Sequence, residues 1–434
     1  MNAPGSTRLL RWAVAALLAA TATTQAAEQS TLVTLGLGAE YTDNVRRVTD
    51  NEESDTILTA SFNSDLRRIT PRIDVGFTSD LHYDYYTQGS FDPELHGNAL
   101  LDFDGQIVRN RLSWYINDTF GQLRTAALSP DTPDNRENVN VFTTGPRFTQ
   151  PIGSRSRFIL VGVYELESYE ESALDATRTG ADLSFRHDLT PHQYLELTAT
   201  TRSTRYDEDV AFGDYDENEY FLTWSATGAR TTVTASLGQT QTDAEGLNDD
   251  ASLFRLDAER SVGKYGTLSL TGRSERASTV DAFRLTQGQG TVDTSTQPYT
   301  AVAEPLDLDY LGFGYSLAGR RLSGSLHASS ERDRYVLTDQ NDHDRNAFEA
   351  GFEWVISPTW NCGLNVEYAR ETYIVTDQRF KELNYTLDAR VRLTRALSLK
   401  FGGTLSDRSG DVGTNAYDET RAHIMLTYTG GKSG

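Results

Sequence analysis

The stretch Arg72–Tyr85 reads R-I-D-V-G-F-T-S-D-L-H-Y-D-Y, and its two faces decide the fold. Its odd positions, Ile73, Val75, Phe77, Ser79, Leu81, Tyr83 and Tyr85, make an apolar face that ends in aromatics. Its even positions, Asp74, Gly76, Thr78, Asp80, His82 and Asp84, place three carboxylates on the other. A period of two is the signature of a strand. In a small soluble sandwich the polar face meets bulk water, and the strand rarely runs so long. In a transmembrane barrel, a strand of about ten residues shows one face to lipid and the other to a polar lumen.

The rest of the chain repeats the pattern. Val33, Leu35, Leu37, Ala39 and Tyr41 alternate with Thr34, Gly36, Gly38 and Glu40; Leu58, Ala60, Phe62 and Leu66 share one face. Further on, Leu383, Tyr385, Leu387, Ala389, Val391 and Leu393 oppose Glu382, Asn384, Thr386, Asp388, Arg390 and Arg392. A last strand carries Ala422, Ile424, Leu426 and Tyr428 outward, and Thr429–Gly434 is expected to extend past it as a tail.

Tight connections fall at Arg67–Thr70, Arg109–Asn110, Pro151–Arg155, Asp188–His192, Thr227–Ala229, Val262–Lys264, Ala318–Arg320, Ser357–Thr359 and Thr394–Ala396. They are rich in Gly, Pro, Asn or Arg. Long polar connections alternate with them at Thr42–Ser54, Thr87–Pro93, Gln122–Glu137, Glu170–Ser172, Asp207–Glu217, Asp243–Ala251, Ala277–Glu304, Leu337–Asp344, Ile374–Arg379 and Asp407–Ala416. Short periplasmic turns and longer outer loops produce this alternation. Nine tight and ten long connections join twenty strands, within a range of 18 to 22, with both termini on the tight-turn side. The expected fold is all-β: a transmembrane antiparallel up-and-down barrel.

Bulk composition agrees. The chain has 434 residues, 38% of them hydrophobic, and a mean hydropathy of -0.50. Beyond residue 27 no window approaches the ~18 uninterrupted apolar residues of a spanning helix. Barrels escape that requirement because every second strand residue faces the lumen. The first residues read as a signal peptide: Arg8 and Arg11, then Trp12–Ala20 as a short apolar core, then a small-residue exit at Ala26 or Ala27. The expected organisation is therefore a signal peptide at 1–27 and one barrel at 28–434, in the outer membrane. The formal charge is -22, and removing Arg8 and Arg11 with the signal leaves -24. Such a chain excludes nucleic acid held through its phosphates. The single cysteine, Cys362, lies on an apolar strand face and reads as a small lipid-facing hydrophobe.

Candidate functional residues follow from the inner faces. They are Asp74, Asp80, His82 and Asp84; Glu165 and Glu167; Arg255, Asp257 and Glu259; Arg273 and Glu275; Glu349 and Glu353; and Asp388, Arg390 and Arg392. Such groups either keep the lumen wet and hold register through cross-strand pairs, or form charge rings that tune permeation. The longest connection, Ala277–Glu304, with Gly288, Gly290 and Pro298, either folds inward or stands outside as a flap. Arg273, Glu275 and Arg276 at its root adjoin a constriction in the first case. Asp339–Asp344 (D-Q-N-D-H-D) is dense in oxygen ligands but misses the calcium-loop frame, with His343 and Asp344 at the fifth and sixth positions, so no metal is assigned. His327, Ser329 and Glu331 share an inner face, but no G-x-S-x-G or H-E-x-x-H is present, so neither enzyme nor cofactor is expected.

The opening E-Y-T-D-N-V (Glu40–Val45), the Tyr-rich strand His82–Tyr86 and the serial alternating strands resemble the EpsL-like β-barrel outer-membrane proteins of exopolysaccharide gene clusters. The resemblance implies an outer-membrane component of polysaccharide production or export, with polysaccharide and export-machinery proteins as partners beside lipid and lipopolysaccharide. The alternatives are a porin for small solutes and a non-conducting structural or adhesion barrel.

Overall fold

A strand that is apolar on one side only needs neighbours for its backbone, and the chain supplies them in sequence order. In the computed structural model, which describes residues 28–210, 212–244, 247–282, 300–302, 304–411 and 416–432, twenty strands form one antiparallel sheet. They are β1 (Glu28–Thr42), β2 (Asp55–Ile69), β3 (Ile73–Tyr86), β4 (Glu94–Val108), β5 (Leu112–Arg124), β6 (Arg136–Ile152), β7 (Ser156–Tyr169), β8 (Ala176–Thr190), β9 (Gln193–Tyr206) and β10 (Tyr215–Thr227). There follow β11 (Thr231–Ala244), β12 (Leu247–Val262), β13 (Gly266–Ala277), β14 (Leu306–Ala318), β15 (Leu322–Tyr335), β16 (His343–Ser357), β17 (Trp360–Tyr373), β18 (Gln378–Arg392), β19 (Leu397–Gly410) and β20 (Tyr417–Lys432). Each pairs with the next, and β1 pairs with both β2 and β20, so the sheet closes and no strand is left as an edge strand.

Fourteen residues, the length of β3, cover ~46 Å along the strand at ~3.3 Å per residue. A tilt of ~40° still leaves more height than the ~25 Å apolar band of an outer-membrane barrel. The outer surface carries Leu37 at 70% exposure, Leu237 at 64% and Leu387 at 62%, with Tyr41, Tyr83, Tyr85 and Tyr220 toward the long connections and Trp354, Trp360 and Tyr428 toward the tight turns. An apolar surface this large is solvated by lipid, not water. The outer face has polar exceptions. Asp118 accepts a hydrogen bond from Asn140 at 3.0 Å, and the Ser64 and Ser79 hydroxyls meet at 2.8 Å.

Two expectations change. The connection expected at Asp243–Ala251 is mostly ladder: Asp243 pairs with Asn248 and Ala244 with Leu247, so β11 and β12 run on beyond it. The expected tail is not a tail as far as Lys432, because Thr429, Gly430, Gly431 and Lys432 pair with Thr34, Val33, Leu32 and Thr31 of β1. Gly431 makes this possible. Its φ of 129° and a backbone approach that would put a Cβ 1.9 Å from the Thr31 carbonyl oxygen admit no side chain. The expected signal peptide, and Gly288, Gly290 and Pro298, lie outside the described residues.

Buried apolar residues gather almost wholly at the long-connection end. Val45, Ile57, Tyr86 and Phe91 form one cluster there, and Leu306, Leu308 and Tyr335 another. A third joins Leu123, Val139 and Val141 to Val280 and Ala282. That one matters most, because its members belong to parts of the wall that are not neighbours.

Candidate functional site

The wall comes apart at its outer end in two places. The β4–β5 ladder stops at Ala99–Phe120, while the β5–β6 ladder continues to Arg124–Arg136. Likewise the β12–β13 ladder stops at Phe254–Ser274, although β11–β12 runs on to Ala244–Leu247. Freed on one side, the β5–β6 tip and its connection 125–135 cross the interior.

On the far wall Arg408 of β19 donates to the Leu128 carbonyl at 2.8 Å and to that of Ser129 at 3.4 Å. The Tyr373 hydroxyl of β17 donates to the Ala127 carbonyl at 3.3 Å. Arg47, in the β1–β2 connection, reaches the Asp131 carbonyl at 2.7 Å and the Glu419 carboxylate at 2.9 Å. Within the crossing segment Asn135 closes a knot, its Nδ2 donating to the Ala126 and Pro130 carbonyls at 3.0 Å each.

The β13–β14 connection comes in from another side. Residues 279–282 form a helical turn, and Val280 and Ala282 pack onto Leu123, Val139 and Val141. The Ala301 amide donates to the Arg124 carbonyl at 2.9 Å, and Thr300 bridges Arg124 in parallel. Between β6 and β14 the wall contains β7 to β13, so this contact lies across the interior. Asp281 completes it by pairing with Arg178 of β8 at 3.1 Å. Of the two alternatives open for the longest connection, its described residues take the inward one.

The candidate residues fall into three groups. The first is a set of ion-paired networks, part of which meets the crossing segments. Glu165 and Glu167, buried on β7, face Arg178 at 3.4 and 3.6 Å, and Glu165 also accepts from Thr143 at 2.8 Å. Arg255 pairs with Glu275 and, at 3.0 Å, with Glu219; Arg273 pairs with Asp257 at 2.8 Å and approaches Glu275 at 3.8 Å. These four candidates form one network on β12 and β13. Glu349 joins Arg124, Arg345, Glu367, Glu371 and Glu382 around a small cavity of about 20 Å³.

The second group lies lower on the wall. Asp80 meets His82 at 2.9 Å; Asp84 accepts from Thr59 at 2.7 Å and meets His96 at 3.0 Å; Asp388 meets Lys400 at 3.1 Å and His423 at 2.8 Å. The third group, Asp74, Glu259, Glu353, Arg390 and Arg392, stands exposed near the tight turns. There Asp74 lies 3.5 Å from Arg67, and Glu353 accepts from Asn361.

The inner-face inventory missed Arg47, Arg124, Arg178, Arg345, Glu371, Arg408 and Glu419, all buried or nearly so beneath the crossing segments. A signal for some was present. Glu371 continues the parity of Glu367, and Arg408 that of Lys400, once each strand is extended into its polar flank.

The residues set aside as chemistry are engaged elsewhere. Asp342 accepts the Tyr335 amide at 2.7 Å, and burial pushes its carboxyl above the ordinary value; Asp344 pairs with Arg334 at 2.5 Å; His343 stacks on Tyr373 at 5.3 Å. His327 lies 3.4 Å from the Tyr310 hydroxyl. Cys362 is a free, half-buried thiol.

No protein-family model matches the sequence, and no curated protein does either. Among solved structures, the siderophore receptor PirA from Pseudomonas aeruginosa is 10% identical with a TM-score of 0.46, covering 94% of this chain and 81% of its own. The FrpB iron transporter from Neisseria meningitidis is 9% identical at 0.44, covering 93% and 82%. OccAB3 from Acinetobacter baumannii is 11% identical at 0.38, covering 93% and 100%. These neighbours are outer-membrane β-barrels, and the likeness concerns the barrel fold alone.

Proposed function

We propose that this chain is a conduit for polar solutes across an outer membrane, with its outer mouth narrowed by two connections that fold inward. The observation that supports it is the contact of Thr300 and Ala301 with Arg124, made across the interior of a closed barrel. A merely structural or adhesive barrel has no need to spend loop residues inside its own lumen, whereas a conduit needs a constriction. An interior lined by paired carboxylates and guanidiniums suits hydrated, hydroxyl-rich or charged cargo better than apolar cargo.

The finer reading follows the resemblance to EpsL-like barrels: the cargo is a polysaccharide on its way out, delivered by export-machinery proteins on the tight-turn side. Deleting the gene should abolish surface polysaccharide while leaving growth on small solutes intact. Normal polysaccharide with failure to grow on one solute would replace this reading with that of a porin. Purified full chain reconstituted in planar bilayers should show discrete conductance steps. If neither the wild type nor a variant relieved of its crossing segments conducts, the conduit itself is wrong and the structural or adhesive barrel takes its place.

A further inference from the structure

Three side chains on the inner wall of β3 and β4 gather beside the foot of the 125–135 segment, which reaches them through Arg136. Asp84, Glu94 and His96 each offer one ligand atom, and these atoms all lie within 4.8 Å of one another. We infer that they hold a divalent first-row transition-metal ion.

The donor set is mixed: one imidazole nitrogen and two carboxylate oxygens, a combination that suits zinc, manganese or iron(II). Groups outside the set orient it. Thr59 donates to Oδ1 of Asp84 at 2.7 Å, while Tyr86 and Arg136 donate to Oε1 of Glu94 at 3.0 and 3.1 Å. One oxygen of each carboxylate is thereby held from outside the set, and Oδ2 of Asp84 faces Nε2 of His96. His96 is held as well, its ring stacked on His82 at 5.3 Å with 19° between planes. His82 is in turn bonded to Asp80 at 2.9 Å. Hydrogen-bonded support of this kind fixes ligand orientation and is worth about 10–100-fold in metal affinity.

Distances and access both allow an ion. His96 Nε2 and Asp84 Oδ2 are 3.0 Å apart. Two ligands bound tetrahedrally at ~2.0–2.1 Å sit ~3.3 Å from each other, so the ion enters after a shift of a few tenths of an ångström and replaces the proton they share. The side chains of Asp84, Glu94 and His96 are 15%, 16% and 18% exposed, enough for entry and little enough to limit their freedom. The β4–β5 ladder stops at Ala99, so the Glu94–Asn98 edge is not covered by β5. Arg136 is the opposing charge nearby, and Asp131, 3.2 Å from its Nε, offsets it. Three protein ligands leave coordination positions for water or for an oxygen of a passing solute.

The test uses the full chain folded in detergent, stripped with a chelator and titrated with zinc at pH 7.5 by calorimetry. The expected result is one zinc per chain. H96A and E94Q should each weaken it about tenfold or more, and T59V less. H423A removes another interior imidazole beside a carboxylate and should leave zinc binding unchanged. Heat-modifiable migration verifies that each variant is a closed barrel; if H96A fails to close, E94Q and T59V carry the comparison. Zinc affinity equal in wild type, E94Q and H96A, several weak equivalents per chain, or no binding to the folded barrel would each overturn the assignment.

Discussion

The two ends of this barrel are built from the same strands and obey opposite rules. At the tight-turn end no described segment crosses the interior, and the nine turns contain no Asp or Glu; seven of them carry Arg or Lys: Arg72, Arg109 with Arg111, Arg155, Arg230, Lys264, Arg320 with Arg321, and Arg395. At the other end every connection carries at least one acid, and only 43–54 and 278–305 carry a base as well. That end also holds the buried clusters and the buried ion pairs. The wall is one code repeated, while its ends diverge into a packed acidic mouth and a basic rim of short turns. Charge arranged this way sets a field along the axis that gathers cations outside and anions at the tight-turn side.

Four changes would break or sharpen that contrast. The largest effect should come from replacing residues 279–302 with a short Gly-Ser linker, which removes Val280, Ala282 and the Thr300 bridge together. Bilayer conductance should rise several-fold, and an unchanged value would mean that the segment does not narrow the path. Next, Arg408→Ala unties 125–135 and strips a buried cation from beside Glu382, 3.9 Å away. Truncating one partner of a buried pair costs about 3–5 kcal/mol, so 125–135 should become protease-sensitive while the tight turns stay resistant. Equal sensitivity at both ends would erase the asymmetry.

Third, in a Cys362→Ser background, cysteines at Thr78 and Asp80 should react with a water-soluble thiol reagent at least about tenfold faster than those at Phe77 and Leu81. Comparable rates would mean the two strand faces are not differently solvated. The smallest effect belongs to Arg320→Gln with Arg321→Gln, exposed residues whose loss should change stability by no more than about 0.5 kcal/mol. It should still move the reversal potential toward greater cation preference, and an anion-ward shift would contradict the axial field.

Much of the wall was legible because period two is a local signal. Leu383–Leu393 and Ala422–Tyr428 carry it without interruption and Ile73–Tyr85 with Ser79 as its one break, and the tight turns between strands are set by residues such as Asn110 at φ 57° and Gly153 at φ 70°. The crossing segments were not legible in the same way. Whether Val280 folds in or out depends on Leu123, Val139 and Val141, which lie far away in sequence and on strands whose own alternation is unremarkable. The missed ladder beyond Asp243 has another cause: Asn248, Asp249 and Asp250 are poor strand formers, yet hydrogen bonding to Thr242 and its neighbours overrides propensity. The buried Arg408 lay in a flank that read as solvated loop, because only the arriving 125–135 segment buries it.

The β1–β20 seam sets the order in which this molecule can come into being. Nineteen of its hairpin joints need only a nearby partner, but the twentieth must bring together chain positions almost 400 residues apart. Left to a free polymer, that encounter would cost about 5 kcal/mol in closure entropy. Until Gly431 docks beside Leu32, β1 remains a bare ribbon edge, open to any stray strand. A molecule cut short before Thr429 would lose four of the twelve residue pairs of its clasp, so closure doubles as an inspection that the last strand has arrived.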